Sequence, residues 1–159
     1  MAPLQAGSPS LLASAVDRGL PEGLRQIFDG AGVALASIQP HLMAAYNASR
    51  PHLGGGCTWF AVAESGNLCL ALLRHRNWIS LRSMRLGEAW QSELPRLLER
   101  ESILAGGGET AGQMFLWAPE LEDAAWPDAS RWRVRSIRPE VAPGIGPALD
   151  GRLAMAMSP

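Results

Sequence analysis

The sequence predicts an α/β domain, a mixed sheet covered by helices on both faces. Three observations lead there. Residues 57 to 86 hold three strand-like runs parted by short turn sequences. The first two runs are apolar at odd and even positions alike, so neither face of that hairpin suits water. Apolar stripes at helical spacing lie on either side of these runs, ready to cover the two faces.

The elements follow in order. Leu20, Leu24 and Ile27 recur at helical spacing, with Pro21 early and Gly30 and Gly32 late, which predicts a short amphipathic helix over about 17–29. Val33, Ala34, Leu35, Ala36, Ser37 and Ile38 form an apolar run that reads as a buried strand. Pro40 suits a first helical position, and Leu42, Ala45 and Tyr46 mark one face of a second helix that ends before Pro51. Strands are expected at 58–63, 68–73 and 78–86, with turns at 64–67 and at Arg76 and Asn77. A two-residue loop of Ser65 and Gly66 sets Glu64 opposite Asn67, Val62 opposite Cys69 and Phe60 opposite Ala71. The same register pairs Trp59 with Leu72 and Ala61 with Leu70.

Trp90, Leu94, Leu97 and Leu98 make the next helical stripe, which ends in the charge of Glu101. Pro95 implies that the regular helix begins near Glu93 or bends there, and Gly106 to Gly108 end it. Met114 to Trp117 is a short buried strand closed by Pro119, and 120–126 a brief helix or turn. Trp132, Val134 and Ile137 then alternate with Arg131, Arg133 and Arg135, as in a last strand with one polar face. From Thr58 the order is strand, strand, strand, helix, strand, short helix, strand. A three-strand antiparallel meander extended by parallel strands, with helices on the faces, is the ribonuclease-H-like arrangement. A helix–strand–helix segment precedes it.

Size and charge narrow the functional classes. A chain of 159 residues, 47% hydrophobic and 18% charged, makes one ordinary globular domain. The expected boundaries are flexible tails over 1–14 and 139–159 around a single domain at 15–138. Fourteen basic and fifteen acidic residues leave a net charge of -1, unlike the basic footprint of a nucleic-acid binder. Every one of those basic residues is an arginine, which matches a chain rich in Ala, Gly and Pro. No apolar run reaches the roughly 18 residues of a spanning helix, and Met1 to Gln5 lacks the positive start of a signal peptide. A cytoplasmic domain without direct membrane insertion is expected.

The stretch from Leu24 to Leu35, then His41 to Tyr46, then Phe60 to Gly66 resembles the second half of an actin-like protein. Within that group it is most similar to the branch found in type IV pilus and type II secretion assembly platforms. The resemblance is one of layout and covers about residues 20–138. It implies a phosphate turn of the form Asp-x-Gly after the first strand of the second unit. Glu64 stands in place of that Asp, Gly66 keeps the glycine, and Asn67, Leu68 and Cys69 offer no threonine. The glycines at 106–108 precede the strand at 114, whereas the family's adenosine-binding pair follows a late strand. ATP also needs a facing lobe from the first half of the fold, which this chain lacks. The resemblance therefore implies a docking subunit that has lost nucleotide, with no cofactor. Its expected partner is another protein or a second copy, in a complex peripheral to the inner membrane.

Other candidate chemistry is weaker. Glu64 beside Gly66 reads first as a solvated turn residue. His52, Cys57, Cys69 and His75 invite a zinc reading, but the register sets the thiols rows apart and no tight Cys-x2-Cys pair occurs, so buried free thiols are expected. His41, at a helix start, is expected to be exposed. Gly54 to Gly56 and Gly106 to Gly108 lack the order and the lysine of a phosphate loop.

Arg131, Arg133, Arg135 and Arg138 are the densest charge on the chain. They read as a solvated strand face that guards a sheet edge, or as a grip on an acidic partner or a nucleic-acid backbone. Trp59, Trp90 and Trp117 fall at core-facing positions; Trp78, Trp126 and Trp132 are expected to be partly exposed. Tryptophan beside arginine suits an interface hot spot, so Trp126, Arg131, Trp132, Arg133 and Arg135 form the candidate partner surface. The favoured reading is a non-enzymatic docking or scaffold domain. The alternative is a nucleotide-binding ATPase half with Glu64 in the phosphate turn.

Overall fold

The computed structural model describes residues 12–106, 112–119 and 132–138. Its centre is a five-stranded mixed sheet in the order β3-β2-β1-β4-β5. The strands are β1 (Cys57–Glu64), β2 (Asn67–Arg74), β3 (Asn77–Arg85), β4 (Gln113–Trp117) and β5 (Arg133–Ser136). β1, β2 and β3 pair antiparallel, while β1–β4 and β4–β5 are parallel. This is the ribonuclease-H-like sheet, and the domain is α/β.

Ser65 and Gly66 both take positive φ, 50° and 72°, as the tightest hairpin turn requires. The register expected for β1–β2 is the one observed, pair by pair from Trp59↔Leu72 to Glu64↔Asn67. The second turn lies one residue earlier than expected, because Arg74 pairs with Asn77 and the loop is His75 and Arg76. Both are left-handed without being glycine. His75 is held by its N–H to the Gly56 carbonyl, and its Nδ1 lies 2.7 Å from the Gly55 carbonyl oxygen.

Helix α2 (His41–Ser49) and helix α3 (Trp90–Leu104) take opposite faces of the sheet. Trp59, Ala61, Leu70, Met114 and Leu116 pack with Leu94 and Leu98 of α3. Phe60, Val62, Ala71, Phe115 and Trp117 pack with Ala45 and Tyr46 of α2. The two-sided apolarity of the hairpin thus reflects two separate cores. Trp78 is half-buried as expected and rests on Tyr46, with ring centroids 4.8 Å apart. Trp90 is half-buried at the margin of the α3 core.

Pro95 neither delays nor shifts the start of α3, which begins at Trp90 with Ala89 as its cap. Pro95 lies early enough that it deprives only the half-buried Gln91 of an intrahelical donor, near an end already short of internal partners. Glu101 is 4% exposed. It accepts from Arg82 Nε at 3.2 Å and from Arg100 Nη2 at 3.0 Å, tying α3 to β3.

The N-terminal segment departs from expectation. Helix α1 (Gly19–Gly30) forms where the apolar period places it, yet buries no residue. Residues 33–38 are not a strand. Their side chains stay largely in water, Val33 at 52% exposure, and no strand among the described residues pairs with them. Without a ladder, an apolar run has no reason to hold β pairing. The expected turn or helix at 120–126 and the tails at 1–11 and 139–159 lie outside the described residues.

Candidate functional site

Alternation along β1 decides where the hairpin tip sends its charge. Glu64 shares parity with Phe60 and Val62, so its side chain leaves on the α2 face. There it meets His41, the first residue of α2, and the Glu64 carboxylate pairs with His41 Nδ1. The His41 ring also packs edge-to-face on Trp117 at a centroid distance of 4.3 Å. His41 Nε2 is buried without a hydrogen-bond partner. A carboxylate beside the first turn of a helix also gains from the helix dipole. The trio therefore clamps the start of α2 to the sheet. His41 is half-buried, not exposed as its place at a helix start suggests, because Trp117 and Glu64 cover it.

Gly66 remains at the hairpin tip and lines, with Glu64, Glu88 and Trp90, a cavity of about 270 Å3. Glu88 is the acidic side chain on this side, because Glu64 sends its carboxylate to His41 on the α2 face, and none of the described lining residues is cationic. Such a lining repels a phosphate group.

A larger cavity of about 640 Å3 adjoins it, sharing Leu86, Gly87 and Trp90. It lies between the β2–β3 edge of the sheet and the outer side of α3, and arginines predominate among its charged walls. The sequence reading missed it. Its lining is contributed by residues from 68 to 100, and only the packing of α3 against β3 brings them together.

The expected partner surface divides. Arg133 and Arg135 are exposed on β5, which among the described residues is an edge of the sheet. Arg135 also lines a cavity of about 350 Å3 with His52 and Arg138. Trp132 does not join them. At 4% exposure it packs into the α3-side core, so its place just before β5 turns it inward. Trp126 and Arg131 lie outside the described residues.

The zinc reading also meets the observed register. Cys57 stands opposite Arg74 and Cys69 opposite Val62, and both thiols are free but only half-buried, not buried as expected. Among the described residues no three His, Cys, Asp or Glu side chains are grouped to hold a metal. Among the described residues, too, no helix is long and apolar enough to cross a membrane.

No family model matches this chain, and no curated protein does. One solved structure similar to it is that of the PilM-PilN type IV pilus biogenesis complex, at 13% identity and a TM-score of 0.47. The likeness covers 62% of this chain and 40% of that one. The matched part of this chain thus spans 40% of the length of that one.

Proposed function

We propose that this chain is a non-enzymatic docking domain of actin-like type, serving an assembly platform of the pilus or secretion kind. The observation that carries the docking reading is the uncovered N-terminal segment. Leu20 is 57% exposed and Ile27 68%, and Val16, Val33 and Ile38 are exposed as well. A helix whose apolar stripe stays exposed among the described residues is a surface suited to a partner. The pilus or secretion setting rests on the sequence resemblance over residues 20–138.

The hairpin tip supports the absence of catalysis. Glu64 is engaged by His41, and none of the described residues lining the adjoining cavity is cationic where a nucleotide would bring phosphates. The melting temperature is expected to stay unchanged in millimolar magnesium-ATP. A ligand of the folded state raises it by mass action, so a rise of several degrees would overturn the non-enzymatic reading. For docking, the tagged chain is cross-linked in its native host with membranes retained. Co-recovery of pilus or secretion-platform components is expected, and recovery of the chain alone would contradict the proposal.

A further inference from the structure

The 640 Å3 cavity beside α3 combines an apolar floor with a basic rim. Leu68, Met84 and Leu97 supply the floor, and Trp90 closes one end. Arg85, from the end of β3, and Arg96, from α3, stand on the rim; both are exposed and neither has an ion pair among the described residues. Arg100 adds a third guanidinium, already turned to Glu101, and Glu93 is the only acid among the lining residues.

We propose that this groove is a second docking site and that it takes a short acidic amphipathic peptide segment of a partner protein. The charge pattern carries the choice of occupant. Apolar side chains of such a segment fill the floor, while its carboxylates meet guanidinium groups that lack partners among the described residues. Arginine suits this role because its planar fork binds a carboxylate through two parallel hydrogen bonds. The neighbouring cavity, with Glu88 and no cation among its described lining residues, sets a limit at the other end. There an acidic segment is repelled, so the peptide is confined to the arginine side of Trp90. The inference extends the docking reading to a surface separate from α1 and stands or falls apart from it.

The test uses the full chain and fluorescence anisotropy. One probe is a labelled amphipathic peptide of leucine and glutamate; the other carries lysine at every glutamate position. Saturable binding of the acidic probe is expected, weakened at least tenfold by Arg96→Glu and again by Arg85→Glu, and weakened by added salt. Both positions are exposed, and unchanged circular dichroism confirms that the variants fold. Ile27→Glu on α1 is expected to leave this binding untouched. Absence of saturable binding, equal binding of the lysine probe, or indifference to Arg96→Glu would each overturn the groove and leave the α1 surface as the docking site. If Ile27→Glu abolishes peptide binding while Arg96→Glu does not, the peptide belongs on α1.

Discussion

Val33–Ile38 and Leu68–Leu73 are both short apolar runs, and in the sequence both read as buried strands. One is the second strand of a five-stranded sheet, paired on both sides by β1 and β3. The other is extended chain exposed to water. Their composition does not separate them. The difference lies in what stands beside them. Leu68–Leu73 follows a two-residue turn that returns it onto β1, whereas Val33–Ile38 follows a helix that buries none of its residues. Strand propensity is in large part a preference for neighbours, and it is realised only where neighbours exist.

Substitutions measure the contrast. Leu70→Ala empties a fully buried site in the α3-side core and is expected to cost about 3 kcal/mol in urea unfolding. Val33→Ala is expected to cost less than about 0.5 kcal/mol, as surface changes do. Similar losses at the two positions would mean that 33–38 is packed in solution.

Glu101→Ala is the next largest effect, about 1–3 kcal/mol, since a buried carboxylate and its charge-assisted bonds to Arg82 and Arg100 are lost together. Both arginines remain partly exposed and can rehydrate, which keeps the loss near the lower end.

The two turns of the meander give a smaller and opposite pair. Arg76→Gly relieves a left-handed residue and is expected to stabilise by up to about 1 kcal/mol. Gly66→Ala imposes that strain and is expected to destabilise by a similar amount. Like signs for the two changes would mean that the turns are not the ones described. The smallest signal is in amide exchange, where 34–38 is expected to exchange freely and the amides within β2 slowly.

The sheet was legible in the sequence because local signals sufficed for it. Ser65 and Gly66 dictate the hairpin register, and the alternation of Trp59, Phe60, Ala61 and Val62 assigns each side chain to a core. Long-range contacts were harder to read. Nothing near His41 announces Glu64 as its partner, although the parity of Glu64 with Phe60 and Val62 already pointed it to the α2 face. Trp132 looked like an interface tryptophan because arginines flank it, but its position just before β5 turns it into the core. The Arg85 and Arg96 groove is not announced by any motif, being made only where α3 packs beside the end of the strand before it.

The central claim, docking through the uncovered segment around α1, is tested most directly by site-specific photo-cross-linking in the native host. A photoreactive residue replaces Ile27 in one strain and the exposed Glu99 of α3 in another. The account predicts a discrete adduct of one partner protein from position 27 and none from position 99. Adducts absent from position 27, or equally abundant from both, would contradict it.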